Sequence, residues 1–187
     1  MSYMLDDILN PVTPLVAQIP NHWLYINIRY QCLAYMQGIR IESAYPMSSA
    51  RLGVGERQGS GCTPRGWHKI RACIGENLPA HAVLVGRRWT GELYTPELAL
   101  QFPKRDWILG RILWLSGLEV GKNRGGQCDT MRRYIYIHGT PDDQPMGVPR
   151  SHGCIRMHVA DMLDLYARVS PLMQVFIDAA DKPLRNP

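Results

Sequence analysis

Short runs of alternating apolar and polar residues recur along this chain, set between glycine- and proline-rich stretches. A period of two places successive side chains on opposite faces of a strand. It predicts strands over residues 23–28, 31–36 and 39–45, the last two flanking Gln37-Gly38 as a hairpin. Residues 69–74, 82–85 and 174–178 read as further strands, the last one closing the fold. In the run 134–138 the alternation sets Tyr134, Tyr136 and His138 on one face. Ile135 and Ile137 take the other face, toward the core, and Gly139 ends the strand. Only Val159, Met162, Leu163, Tyr166 and Val169 follow the helical period, which predicts a helix from near His158 to Val169, stopped by Ser170-Pro171. Residues 48–67 and 140–150 carry the glycines, prolines and aspartates of loops. Residues 86–107 hold several aromatics and prolines and read either as a lid over a cleft or as a packed excursion. The sum is a mainly β, sandwich-like domain with one late helix.

At 187 residues the chain is long enough for one domain with a sizeable core, and no repeat or linker suggests a second. Residues 1–20 read as an N-terminal extension and 21–180 as the domain. The net charge is +5 and arginine far outnumbers lysine. Scattered arginines suit carboxylate-bearing ligands. A long basic run, a recognised motif or a zinc-finger spacing would be needed to suggest nucleic acid, and the sequence has none of them. Arg87-Arg88 and Arg132-Arg133 read as solvated faces. The first twenty residues contain no lysine or arginine and place Asp6-Asp7 where a secretory signal would begin its apolar stretch, so no signal is predicted. The most apolar segment, 107–120, is broken by Arg111, so no membrane-spanning helix is predicted. An odd number of cysteines, five, without paired spacing fits a reducing compartment. The expected location is the cytoplasm.

The chemistry concentrates in Ser151-His152-Gly153-Cys154-Ile155-Arg156, preceded by His138-Gly139-Thr140. A cysteine attacks a carbonyl as thiolate, and a nearby imidazole takes its proton. Cys154 is the candidate nucleophile and His138, at a strand end, the candidate base; the Gly139 carbonyl is placed to orient the imidazole. The loop over 140–150 has the length to fold back and bring Cys154 beside His138. Gly153 permits close backbone approach to a substrate. The N–H groups of Gly153 and Cys154, with the Tyr136 hydroxyl, form the candidate oxyanion hole. Cys32, Cys62, Cys73 and Cys128 read as packing residues, and His22, His68 and His81 as surface or packing residues. His152, Cys154 and His158 as metal ligands fit no common zinc spacing, so no metal is predicted.

These motifs resemble those of the L,D-transpeptidases, whose catalytic unit is the YkuD-type domain. That family carries a histidine followed by Gly-Thr or a similar pair, a loop with proline and glycine, then Ser-His-Gly-Cys-x-Arg or Asn. Upstream, Thr63-Pro64-Arg65-Gly66-Trp67 resembles the family's Thr-Pro-x-Gly-aromatic segment, and residues 33–47 its opening hairpin. The resemblance spans roughly residues 23–179. It implies Cys154 as nucleophile, His138 as base and Gly139 as the third member through its main chain. It also implies His152, Arg156 and Ser151 lining the substrate site. Arg156 reads either as the holder of a substrate carboxylate or as one arm of a salt bridge supporting the loop, and Ser151 as a turn or hydrogen-bonding residue. The implied reaction cuts a peptidoglycan stem tetrapeptide before its terminal D-Ala through a thioester. It needs no cofactor, and carbapenem-type β-lactams are implied as inhibitors.

Location shapes the expected activity. A cytoplasmic enzyme meets soluble muropeptides and water, which predicts an L,D-carboxypeptidase of recycled tetrapeptides. The alternatives are an exported L,D-transpeptidase that forms cross-links or exchanges D-amino acids, and a non-catalytic peptidoglycan-binding module. A papain-type peptidase matches only in chemistry.

Overall fold

A computed structural model of the chain describes residues 19–179. Its elements run β1 (His22–Asn27), β2 (Cys32–Gln37), β3 (Arg40–Pro46), β4 (Gly66–Ile74), β5 (Ala82–Val85), β6 (Arg88–Leu93) and α1 (Pro96–Gln101). They continue with β7 (Leu109–Gly117), a short 3-10 turn (Gly126–Cys128), β8 (Tyr136–Thr140), β9 (Ile155–His158), α2 (Val159–Arg168) and β10 (Gln174–Asp178). The strands form one curled sheet in the order β3-β2-β1-β10-β4-β7-β5-β6, with β8 joined to β7 and β9 joined to β8. The pairs β1–β10 and β8–β9 are parallel and the other pairs antiparallel.

The main core lies on the face of the sheet that α2 covers. Leu24, Ile26, Leu33, Ile70, Leu113, Leu115, Ile137, Ile155 and Val175 pack there against Met162 and Leu165 of α2. Fully burying a side chain of this size stabilises the fold by about 1.5–3 kcal/mol, so this cluster is the main stabilising unit. The same period of two sends Trp23 and Tyr25 to the opposite face of β1. There they join Ala34, Met36 and Phe176 in a second cluster, with Trp67 packed against it. Strand β1 is therefore buried on both faces.

The expected mainly β architecture with a helix after the cysteine segment is the observed one. The hairpin around Gly38, strands β5 and β10, and helix α2 lie within a residue or so of their predicted bounds. Strand β8 differs: it starts at Tyr136 and runs on to Thr140, because Tyr134 adopts a left-handed backbone (φ 57°) at the end of a turn. Gly139 thus lies inside the strand. A Cβ there would sit 2.5 Å from the Leu109 carbonyl oxygen of β7, so a side chain would force the two strands apart. Strand β7, central to the sheet, is absent from the pattern-based expectation. Its residues are apolar on both faces, which blurs the alternation. The stretch 86–107 is built from β6 and α1, and α1 buries no residue. The predicted extension over residues 1–20 lies almost wholly outside the described residues.

Candidate active site

Parallel pairing of β8 with β9 builds the site. Ile137 lies opposite Ile155 and His138 opposite Arg156. Tyr136 and His138 share a face of β8, and Cys154, in the turn immediately before β9, sets its Sγ against the Tyr136 N–H at the start of β8. The loop over 140–150 does fold back, and its end is stitched to the segment 47–51. Ser48 and Arg156 exchange main-chain hydrogen bonds, and Arg150 and Ser151 both donate to the Ser49 carbonyl.

His138 is 1 % exposed, and its Nδ1 lies 2.8 Å from the Gly139 carbonyl oxygen. A carbonyl only accepts, so Nδ1 carries the proton and Nε2 holds the lone pair. Burial pushes the His138 imidazole below its ordinary range; the Gly139 carbonyl and Asp106 pull it back up, and Arg156 pushes it further down. Cys154 is half-buried against Leu84, Ile112 and Tyr136. Its Sγ accepts from the Tyr136 main-chain N–H at 3.4 Å and lies 3.5 Å from the Tyr134 carbonyl. Burial pushes the Cys154 thiol up to about 11, partly offset by the Tyr136 N–H. Both shifts disfavour charge and so favour an uncharged thiol beside an uncharged imidazole.

The turn that carries Cys154 is held from within. Ser151 is fully buried; its Oγ donates to the Cys154 carbonyl at 2.5 Å and accepts from the Gly153 N–H at 3.2 Å. For Ser151 this is the turn or hydrogen-bonding role read from the sequence, and two other expectations differ. Ser151, sealed from solvent, braces the turn and does not line the substrate site. The Gly153 N–H is already engaged, which leaves the Cys154 N–H as the turn's own candidate oxyanion donor. Gly153 has φ 136°, and a Cβ there would lie 3.1 Å from Ile135 Cδ1, so glycine is needed for the turn itself. Tyr136 has a further role: its N–H meets the thiol, while its hydroxyl accepts from Arg87 at 2.9 Å and keeps its own proton to donate.

The substrate-side residues border a cavity of about 300 Å³ lined by Lys104, Asp106, Thr140, Gln144, His152 and Arg156, among others. The His152 side chain is 65 % exposed and open to it. Arg156 is only 7 % exposed, and its Nη2 lies 2.7 Å from Asp106 Oδ1. Its Nε is buried without a partner among the described residues. The salt-bridge arm of the Arg156 alternative is thus present. Among the described residues no cluster of three His, Cys, Asp or Glu side chains is placed to hold a metal ion. His158 Nε2 instead meets the Gln144 carbonyl at 3.2 Å.

The family model of the L,D-transpeptidase catalytic domain, YkuD, matches residues 21–177. The chain belongs to the L,D-transpeptidase catalytic-domain family. No curated protein matches it significantly. Among solved structures it resembles an L,D-transpeptidase from Xylanimonas cellulosilytica, at 17% identity and TM-score 0.50, over 89% of this chain and 65% of that one. An Enterococcus faecium L,D-transpeptidase aligns at 14% identity and TM-score 0.53, over 86% and 50%. One from Mycobacterium tuberculosis aligns at 15% and 0.51, over 85% and 58%. At such identities the likeness concerns the fold. The chain spans about half to two thirds of the length of these structures.

Within this L,D-transpeptidase domain, four contributors to the site were missed or left unassigned by sequence reasoning. Asp106, fifty positions before Arg156, meets both Arg156 and His152. Arg87, read as a solvated residue, projects from the β5–β6 turn, its guanidinium 4.5 Å from the Trp114 ring centre and 5.1 Å from that of Tyr134. Arg133, likewise read as solvated, donates to the Gly55 and Cys62 carbonyls and ties the glycine-rich loop to the turn before β8. Thr63 of the Thr-Pro segment is fully buried; its Oγ1 donates to the Gly153 carbonyl at 3.0 Å and accepts from the Ala50 N–H at 3.0 Å. The Thr-Pro motif was the one local signal for any of these.

Proposed function

We propose that this domain is a cysteine L,D-carboxypeptidase that removes the terminal D-Ala from soluble peptidoglycan tetrapeptides in the cytoplasm. The observation that carries the reading is the placement of Cys154, in the turn that opens β9, against the start of the paired strand β8 that carries His138, with His138 Nδ1 committed to Gly139. That tautomer leaves Nε2 to take the thiol proton. The sulfur then bonds to the carbonyl carbon preceding D-Ala, and the negative charge on oxygen faces the Cys154 N–H. Collapse breaks the C–N bond, the imidazolium returns its proton to the leaving amine, and D-Ala departs. Water, deprotonated by His138, attacks the thioester and regenerates the thiol.

Water as acceptor follows from the proposed location, where soluble fragments replace a polymeric acceptor. All five cysteines stand as free thiols, as a reducing compartment favours. Among the described residues no helix is long and apolar enough to cross a membrane. Carbapenems are proposed to acylate Cys154; a structure of similar fold is an L,D-transpeptidase in complex with imipenem.

The test is mass spectrometry of a disaccharide tetrapeptide incubated with purified protein, with and without a D-amino acid, and with Cys154→Ala as control. Tripeptide alone, lost in the variant, supports the hydrolase. Cross-linked dimer or a D-amino acid adduct as main product assigns transpeptidation instead. No product at all, with a thiol inert to alkylation, leaves a binding module.

A further inference from the structure

We infer that Asp106 is a positioning residue of this site: its carboxylate anchors Arg156 and balances the guanidinium charge beside the Cys154–His138 pair. This rests on the assignment of those two residues as the reacting pair.

The geometry is specific. Arg156 stands opposite His138 across the β8–β9 pairing and two residues beyond Cys154 in the chain, and its charge acts on both groups. Its side chain is almost wholly buried, so its charge is poorly screened there. Asp106 arrives from another part of the chain, the segment between α1 and β7, and places Oδ1 2.7 Å from Arg156 Nη2. Its other oxygen lies 3.7 Å from His152 Nδ1. Asp106 is itself about half exposed, at 50 %, and it is anchored by Trp107, which packs with Val83, Leu109 and Val159.

A bare guanidinium here would oppose the imidazolium that must form when His138 takes the thiol proton. With Asp106 in contact, the imidazolium forms beside a nearly neutral pair. The two charges act on both reacting groups in opposite senses: Asp106 raises the His138 and Cys154 pKa values and Arg156 lowers them. Other groups facing the pair are fixed elsewhere. Arg133 also bears on Cys154 but is held by the glycine-rich loop, and Arg87 is held on the Tyr136 hydroxyl. His152 meets the pair through Asp106.

The experiment compares wild type with Asp106→Asn, Asp106→Glu and the double variant Asp106→Asn/Arg156→Gln, all checked for an unchanged unfolding midpoint. Alkylation of Cys154 by iodoacetamide, followed by peptide mapping, is read across pH. Removing the anion lowers the thiol pKa. The gain in thiolate outweighs its weaker nucleophilicity, so Asp106→Asn is alkylated about threefold faster at pH 8. Its kcat for acyl transfer falls about tenfold, and the acid limb of the pH–rate profile moves to lower pH. Asp106→Glu recovers most of the wild-type profile, and the double variant returns the alkylation rate toward wild type. A residue that merely supported the loop would slow both reactions, and it would not be compensated by loss of Arg156. Unchanged alkylation in Asp106→Asn, or a double variant no closer to wild type than the single, overturns the inference. Alkylation needs no peptide substrate, so failure of tetrapeptide hydrolysis would sink the proposed activity and leave this comparison intact.

Discussion

Thr63→Val tests how the nucleophile turn is held. Valine has nearly the shape of threonine, so the cavity is unchanged and only the hydroxyl is lost. That hydroxyl is fully buried and makes two hydrogen bonds, to the Gly153 carbonyl and from the Ala50 N–H. Each partner left buried and unpaired costs about 1–3 kcal/mol, which gives a loss of about 3 kcal/mol for the two. With a urea m-value of about 2 kcal/mol/M for a domain of this size, the unfolding midpoint falls by about 1.5 M with m unchanged. Thr63→Ser keeps both bonds and loses one methyl, a cost of about 1 kcal/mol. Because Gly153 adjoins Cys154, Thr63→Val also lowers kcat/KM on the order of tenfold or more, while Thr63→Ser retains most activity. A Thr63→Val protein within about 0.5 kcal/mol of wild type, with unchanged turnover, would refute the claim that this hydroxyl braces the turn.

The remaining predictions follow from single contacts. His68 is fully buried, its two ring nitrogens lie within hydrogen-bond distance of the Gly66 carbonyl and Thr130 Oγ1, and burial pushes it down to about 4. Its folded value lies below the unfolded one near 6.5, so its contribution is full above pH 6.5 and lost as pH falls toward 4, by on the order of 3 kcal/mol. Urea titrations at pH 7 and pH 4.5 should show this loss in wild type, and His68→Gln should reduce the difference; an equal pH slope in both would rule it out. Gly153→Ala forces a side chain into φ 136° and against Ile135, costing about 1–3 kcal/mol and most of the activity. Wild-type activity in that variant would contradict the described turn. Arg87→Ala should leave global stability within about 1 kcal/mol but speed amide hydrogen exchange at the β5–β6 turn, since a hydrogen bond and two cation–π contacts secure it. In wild type the alkylation midpoint of Cys154 lies well above that of an ordinary thiol; a midpoint below neutrality would show a resting thiolate instead.

What was legible in the sequence was what local order encodes. Strands facing core on one side and the helix α2 have clear periods, and the motifs around His138 and Cys154 lie close together in the chain. Strand β7 was hidden because aliphatic residues fill both of its faces, whereas β1, also buried on both, still alternates aromatic Trp23 and Tyr25 with aliphatic Leu24 and Ile26. Arg111, which interrupts its apolar run, fits inside by donating to the Leu78 carbonyl and lying 5.3 Å from the Tyr166 ring centre. Helix α1 had its signal in Thr95-Pro96, since the Thr95 side chain accepts from the Leu98 N–H and proline follows, but with no buried face it left no apolar stripe. Asp106 and Arg87 were not legible. Each reaches the site from an element whose position depends on the whole sheet, and no local pattern announces such a contact. Ser151 was legible as a turn or hydrogen-bonding residue, whereas the resemblance also set it in the substrate site and Gly153 was read as an oxyanion donor. The structure spends the Ser151 hydroxyl and the Gly153 N–H on each other.

The most direct test of the central claim is the fate of a tetrapeptide turned over in heavy-oxygen water, followed by mass spectrometry. Hydrolysis through Cys154 yields tripeptide carrying one heavy oxygen in its new carboxylate, with free D-Ala released in equal amount, and neither product from Cys154→Ala. Heavy tripeptide formed equally by Cys154→Ala, or a main product lacking the label because an amine has taken the acyl group, would contradict it.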